Sequence, residues 1–366
     1  MVLVHPFRRL ARKLIKRATP GTFLIQSSRA VTGSPPNVTV VIPTCNRRDM
    51  LMRCLDALKA QSYHDFEVIV VDDGSTDGTP NALAERAQYR ASPRLQWFRN
   101  GRQSGANYSR NRAIRESRAE FIAFLDDDCI TDPDWLANLM AGFDSDRVAA
   151  VTGLVRDPQP RTLFDVAFKG VNRVHGQVRP GRLVSGNLCV RRQPLLQCMF
   201  DEDPADVDPD VSMSGRCDEE GIFLRLKAAG QEMRVAYGAV VTHEHYYTAR
   251  SFFKQAYKGG QATAKLVYQY RLPPRLDLTP LFLFYLTLPL AFVGRWSAVF
   301  PLSCAAFFLL AITYNDLFRR RKTLWETTIT FPIQLAYYHL RLAGYLTQRL
   351  RLLTGRDRLE RFTFSH

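Results

Sequence analysis

Three consecutive carboxylates, Asp126-Asp127-Asp128, follow directly on the apolar run Phe121-Ile122-Ala123-Phe124-Leu125. A buried strand ending this way delivers concentrated negative charge to one edge of a sheet. Adjacent carboxylates repel one another, so a cation must offset them. A hard divalent ion with oxygen ligands, Mg²⁺, suits the cluster, and phosphate oxygens would complete its shell. The alternative is a strand followed by a solvated acidic turn. A second apolar run, Phe66-Glu67-Val68-Ile69-Val70-Val71, also ends in acid, at Asp72-Asp73-Gly74-Ser75-Thr76-Asp77-Gly78-Thr79. Two further stretches could do chemistry. One is Asp218-Glu219-Glu220, an acidic helix start that the helix macrodipole also favours without any catalytic role. The other is Val240-Val241-Thr242-His243-Glu244-His245, following a short strand; a histidine there can ligate or move a proton, though many are structural.

The elements that must position these groups alternate in type. Val38-Thr39-Val40-Val41-Ile42 reads as a buried first strand stopped by Pro43-Thr44-Cys45-Asn46. Asn46 is expected to cap a helix running to about Ala60, with Leu51, Leu55 and Leu58 on its apolar face. The strand at Phe66–Val71, another helix, a short strand Leu95-Gln96-Trp97-Phe98 and a helix near Ala106–Arg118 lead to the triple-carboxylate strand. This βαβαβ order predicts an α/β fold with a parallel sheet. Ligands bind such sheets outside the carboxyl ends of strands. Asp72, Asp73, Asp126 and Asp128 all stand there, which points to one shared site. Gly105 opens the last of these helices, where backbone N–H groups can approach a phosphate.

The chain has 366 residues, 46% of them hydrophobic, and a formal net charge of +15. Its basic clusters lie at the N-terminus and in the last third, with the carboxylates between. That distribution suits an anionic membrane surface or a nucleotide substrate better than a nucleic-acid footprint, and no zinc finger, RNA-binding aromatic motif or basic zipper is present. The seven scattered cysteines lack metal-ligand spacing and read as reduced cytosolic thiols. Residues 1–36 divide into a basic amphipathic leader, with Phe7, Leu10, Ala11 and Leu14 on one face, and the linker Gly33-Ser34-Pro35-Pro36. The leader either lies on a membrane or is frayed.

Four segments in order, Val-Ile-Pro-Thr-Cys-Asn-Arg, Val-Val-Asp-Asp-Gly-Ser-Thr-Asp-Gly-Thr, Ser-Arg-Asn-Arg-Ala and Phe-Leu-Asp-Asp-Asp-Cys, together resemble the family 2 glycosyltransferases with the GT-A fold. The resemblance covers residues 38 to about 250 and defines a catalytic domain over 37–250. It implies an inverting enzyme that uses a nucleotide-diphosphate sugar and a divalent metal, Mg²⁺ or Mn²⁺. It also implies roles. Pro43 and Asn46 would lie by the nucleotide and Asp73 would reach the base. Asp126 and Asp128 would form the family's Asp-x-Asp, touching donor and metal, with Asp127 in the variable place. Arg112 or Arg110 would meet the phosphates. Gly186 and Asn187 would line the acceptor side. His243, or His245, would sit near diphosphate and metal. Setting the register on Arg225-Leu226 puts Asp218 and Glu219 on the family's Glu-Asp pair in reversed order. The base is therefore Glu219 or Asp218, whichever lies within hydrogen-bond reach of the acceptor hydroxyl. The acidic stretch Asp201 to Asp210 is expected to be a flexible surface loop.

Residues 251–366 read as an amphipathic and membrane-associated helical region. Ser251 to Tyr270 predicts an amphipathic helix. Leu278 to Val293 and Trp296 to Tyr314 are almost wholly apolar, and a spanning helix needs about 20 such residues. They predict either a two-span hairpin or a re-entrant pair, with Arg319-Arg320-Arg321-Lys322 marking a cytoplasmic end. Leu324 to Leu346 would be interfacial or packed on the hairpin. A buried soluble subdomain is the alternative. The combined expectation is a membrane-bound glycosyltransferase of the inner membrane, its catalytic domain facing the cytoplasm, acting on a glycan or lipid-linked acceptor, with no nucleic-acid partner. A processive polysaccharide synthase and a non-catalytic nucleotide-binding scaffold are the rivals; the former carries a Gln-x-x-Arg-Trp motif that is absent after the catalytic carboxylates.

Overall fold

In the computed structural model the described residues are 35–88, 93–168, 185–202, 218–273, 278–293, 298–319 and 322–357. The leader, most of the acidic stretch after Glu202, and Arg320 and Arg321 lie outside them. The chain runs β1 (Val38–Thr44), α1 (Arg48–Lys59), β2 (Phe66–Asp72), α2 (Thr79–Gln88), β3 (Arg94–Arg99), α3 (Ala106–Glu116), β4 (Phe121–Leu125) and β5 (Cys129–Thr131). It continues through α4 (Trp135–Ala141), β6 (Val148–Arg156), α5 (Leu163–Phe168), β7 (Asn187–Arg191), α6 (Arg192–Gln197), α7 (Asp218–Ala228) and β8 (Glu232–His243). The helices α8 (Ala249–Gln269), α9 (Thr279–Thr287), α10 (Val299–Tyr314) and α11 (Leu324–Leu353) complete it.

The eight strands form one sheet in the order β3-β2-β1-β4-β7-β6-β8-β5. Strands β1 to β4 are parallel, whereas β7 runs antiparallel to both neighbours and β5 antiparallel to β8. The sheet is therefore mixed, mostly parallel in its first half. Every residue of β1, β2 and β4 is buried because helices cover both faces, which is why these strands read as continuous apolar runs. Ile42 and Val70 face Leu51, Leu55 and Leu83 of α1 and α2. On the other face Val41, Ile69 and Phe124 meet Ile114 of α3 and Ile222 of α7.

Pro43 has no N–H to give the ladder, and it sits where that costs least. It pairs with Val71 of β2, while the pairing with β4 has already ended at Val41 and Phe124. β8 is one strand of 12 residues that contains Val240–His243, so these residues belong to the strand instead of following a short one.

In the C-terminal region, expected as either a two-span hairpin or a re-entrant pair, the two apolar arms differ in length. The first apolar arm is 9 residues of α9 and a 3₁₀ segment of 5, too short to span a bilayer. Among the described residues only Val299–Phe318 has the length and composition to cross a membrane. The Leu324–Leu346 segment is part of α11, whose Tyr337, Tyr338 and Leu342 form a buried cluster with Phe252 and Ala256 of α8. Lys322 is no free cytoplasmic charge. It is buried, and its ammonium donates to Asp316 Oδ2 at 2.9 Å and to the Ala167 carbonyl at 3.1 Å.

Candidate active site

The carboxyl ends of β1, β2 and β4 converge, and the loops after them build the site. Asn46 stands in the left-handed region at φ 53°, a conformation asparagine tolerates better than most residues. Its Oδ1 accepts from Thr76 N at 2.7 Å and its own N–H donates to Ser75 Oγ at 2.8 Å. It therefore ties the β1–α1 turn to the β2–α2 turn and does not cap α1, which begins after Arg47. This tie aims Arg47 at the carboxylates.

Each of the three aspartates has its own partners. Asp126 Oδ1 accepts from Arg110 Nη2 at 2.9 Å. Asp127 Oδ2 accepts from Thr44 Oγ1 at 2.7 Å and its Oδ1 accepts from Arg47 Nη1 at 3.0 Å. That same Nη1 donates to Asp128 Oδ2 at 2.6 Å. The β5–β8 pairing sets Cys129 opposite His243 and so brings two imidazoles to Asp128. His243 Nε2 lies 3.2 Å from Asp128 Oδ1, and His245 Nδ1 lies 3.7 Å from Asp128 Oδ2. The cluster is desolvated, and the cations decide its charge state. Burial pushes Asp127 up to about 6, with Arg47 opposing. Burial would raise Asp128 too, but the charge and hydrogen bond of His243 outweigh it and hold that carboxyl well below its usual range. Burial likewise acts to lower His243, and Asp128 reverses it, so the imidazole keeps its proton to higher pH.

The residues fit a divalent metal. Ligand atoms of Asp128, Cys129 and His243 all lie within 4.8 Å of one another. A carboxylate with an imidazole suits a first-row divalent ion, and the guanidinium of Arg47 already stands as a cation on Asp128. Asp126 is outside this group and is held by Arg110, so its expected part in the metal shell has no support in the geometry.

Several other expected residues are engaged elsewhere. Asp73 accepts from Asn100 Nδ2 at 2.7 Å, Ser104 N at 2.9 Å and Gly105 N at 2.8 Å. It thus takes the Gly105 amide that could have met a phosphate. Arg112 is buried, donates to the Arg99 carbonyl and Asn100 Oδ1 at 2.8 Å each, and lies over the Phe98 ring. Arg110, about half a turn away on α3, is the one of these two arginines that reaches a carboxylate, that of Asp126. Asn187 is fully buried: its Oδ1 accepts from Trp135 Nε1 at 2.8 Å, and its Nδ2 donates to the carbonyls of Leu154 and Ala239. It pins β7 to β6 and β8 from inside and does not line an acceptor cleft. Gly186 does border the site. Antiparallel β4–β7 pairing matches Leu125 to Asn187, so Gly186 falls opposite Asp126. A Cβ there would lie 2.6 Å from Asp126 Oδ2.

Asp218 and Glu219 open α7, and their side chains lie outside the described residues. The body of α7 is linked to the carboxylates through a polar chain. Arg110 Nη1 donates to Asn107 Oδ1 at 3.1 Å, and Asn107 Nδ2 donates to the Asp201 carbonyl at 2.9 Å. Arg225 of α7 then donates to both Asp201 carboxylate oxygens at 3.0 Å, and Tyr270 donates to Asp201 Oδ2 at 3.2 Å. Asp201 is consequently an anchored residue and no part of a free surface loop. Thr44, Arg47 and Asp201 were not singled out from sequence. The signal for Arg47 was available: a cation one residue past a turn that faces an acidic strand end.

Residues 39–182 match the profile of glycosyl transferase family 2. The chain carries a family 2 glycosyltransferase domain. Within it lie all but the first residue of β1, β2 to β6 and all three clustered aspartates. Glycosyltransferase AglE of Haloferax volcanii is 33% identical over 132 residues, 36% of this chain and 43% of that protein. The GalNAc(5)-diNAcBac-PP-undecaprenol beta-1,3-glucosyltransferase of Campylobacter jejuni is 33% identical over 94 residues, 25% of this chain and 30% of that one. The chain thus matches less than half the length of these relatives. The solved mannosyltransferase PcManGT of Pyrobaculum calidifontis, in complex with GDP-Man and Mn²⁺, superposes with a TM-score of 0.53 at 19% identity, covering 96% of this chain and 94% of that one. The likeness extends the GT-A fold of the family 2 domain to the sheet described above.

Proposed function

We propose that the protein is a membrane-bound inverting glycosyltransferase, moving a sugar from a nucleotide-diphosphate donor to an acceptor hydroxyl in cell-envelope or exopolysaccharide glycan synthesis. The observation that carries this reading is the buried Asp128, bracketed by Arg47, His243 and His245 at the end of β4 in a family 2 domain. Relatives named for a undecaprenol-linked substrate and for colanic acid biosynthesis support the glycan class.

Asp128 and His243 would hold Mg²⁺ or Mn²⁺. Such an ion supplies electrostatic stabilisation for charge growing on the departing diphosphate. The nucleotide lies along the turns of Pro43, Asn46 and Asp73, and Arg110 keeps Asp126 oriented. Glu219, or Asp218, takes the proton of the acceptor hydroxyl. The oxygen then forms a bond to the anomeric carbon as the bond from that carbon to the diphosphate oxygen breaks, its electron pair leaving with the diphosphate. The apolar helix Val299–Phe318 supports an inner-membrane location, with the catalytic domain on the cytoplasmic side where the donor is met.

The test is hydrolysis and transfer from a panel of UDP- and GDP-sugars with Mg²⁺ or Mn²⁺, using detergent-solubilised protein. Asp128→Ala abolishes turnover with the fold intact, and retained activity removes the metal assignment. Glu219→Gln loses turnover while still binding donor, and full activity there moves the base to Asp218.

A further inference from the structure

Arg47 is the one cation in the cluster that bridges two carboxylates. Asp126 has Arg110, Asp127 has Thr44 and Asp128 has His243, while Arg47 Nη1 alone spans from Asp127 Oδ1 at 3.0 Å to Asp128 Oδ2 at 2.6 Å. Its side chain is 15% exposed, whereas those of Asp127 and Asp128 are 2% and 3% exposed. It stems from the turn before α1, held at its base by Asn46, so only the side chain need move.

We infer that Arg47 is an internal counter-ion that a divalent metal must displace from Asp128, so that metal and nucleotide diphosphate bind cooperatively. The inference rests on the reading that Asp128 ligates a metal. A dication among the donor atoms of Asp128, Cys129 and His243, which lie within 4.8 Å of one another, would face a guanidinium hydrogen-bonded to the same carboxylate. Two cations so close in a desolvated site repel strongly. One must leave, and Arg47 is the one on a flexible stem. Its release costs a charge-assisted hydrogen bond to each of two carboxylates. That loss is recovered when a diphosphate arrives, because the planar guanidinium fork matches phosphate oxygens. Metal alone therefore binds against Arg47, and metal with nucleotide binds with its help.

The experiment is titration of the detergent-solubilised full chain with Mn²⁺, following free Mn²⁺ by EPR, with and without GDP or UDP. Without nucleotide, Arg47→Gln binds Mn²⁺ about tenfold tighter than wild type, equivalent to about 1.4 kcal/mol. Nucleotide tightens Mn²⁺ binding in wild type and much less in Arg47→Gln. Arg47→Lys keeps one charge on a shorter stem without the fork, and gives an intermediate Mn²⁺ affinity; it decides the matter if the glutamine variant does not fold. Equal or weaker Mn²⁺ binding by either variant overturns the inference while leaving the metal reading in place. Equal Mn²⁺ binding by wild type and Asp128→Asn overturns the metal reading itself and this inference with it.

Discussion

Gly186 leaves Asp126 room that no other residue would. A methyl at that position would sit 2.6 Å from Asp126 Oδ2 and 3.0 Å from its Cγ, so the carboxylate must turn away from Arg110. Gly186→Ala is expected to lower kcat/KM by about tenfold to a hundredfold, since a displacement near 1 Å at a reacting centre has that scale. The melting temperature should shift little, because Asp126 is at the site's edge; an unchanged kcat/KM would detach Gly186 from the site. The His243–Asp128 pair gives a pH signature in EDTA-treated protein. His243 is raised above its unfolded 6.5, so its contribution is complete below that value and is lost as pH climbs through the folded one. Asp128 is lowered below its unfolded 3.8, so its contribution is present above that and is lost only as pH falls through the folded value. Stability from the pair is thus full between these limits and declines on the alkaline side. Chemical denaturation of wild type against His243→Gln should show a stability difference below pH 6.5 that shrinks as pH rises above it; a difference that grows with pH would contradict the pairing. At this scale the carboxylates were legible because acid at a strand end has few structural uses. Arg47 was not, because an arginine beside a turn is ordinarily a solvated charge.

Elements show the opposite balance. The parallel half of the sheet was readable from continuous apolar runs, since strands covered on both faces need no polar alternation. The antiparallel return of β7 was not, and with it the purpose of Asn187. A single asparagine in an apolar strand resembles a site residue, yet here it closes three hydrogen bonds between β6, α4 and β8. Asn187→Ala should therefore cost about 2–4 kcal/mol by orphaning buried partners, read as a lower denaturant midpoint, and leave KM for acceptor unmoved. The α8–α11 crossing has the same hidden logic. A Cβ on Gly260 would lie 1.9 Å from the Arg341 carbonyl oxygen, and one on Gly344 2.0 Å from that of Tyr257. The two backbones touch because both positions lack a side chain. Gly344→Leu should separate the helices at a cost of about 1–3 kcal/mol or more, visible as faster proteolysis within α11; unaltered protection would mean the crossing is looser than described.

At the scale of the whole molecule, the C-terminal region turns one side to the catalytic domain and the other to the surroundings. Phe308 and Ile312 of α10 are buried against Tyr337 and Tyr338. Phe292, Val293, Val299, Phe300, Leu302, Leu310 and Phe318 are all more than half exposed. So large an apolar surface is not left to water in a stable monomer. Three hydroxyls on these arms are satisfied within their own helices: Thr287 donates to the Leu283 carbonyl, Ser303 to that of Val299 and Thr313 to that of Leu309. A surface set in hydrocarbon would need such internal acceptors, because hydrocarbon offers none. The composition pointed to this surface, but a hydropathy run cannot show that its first arm breaks into α9 and a 3₁₀ segment or that Lys322 turns inward. The attachment should accordingly be apolar in character. In flotation with liposomes, the full chain should remain with lipid through high salt and alkaline carbonate and be released by detergent. Substituting Leu302 and Leu310 with glutamate should cost about 2–3 kcal/mol each at bilayer depth and move protein to the soluble fraction. Release of wild type by salt alone would instead make the attachment electrostatic, carried by the +15 charge of the chain.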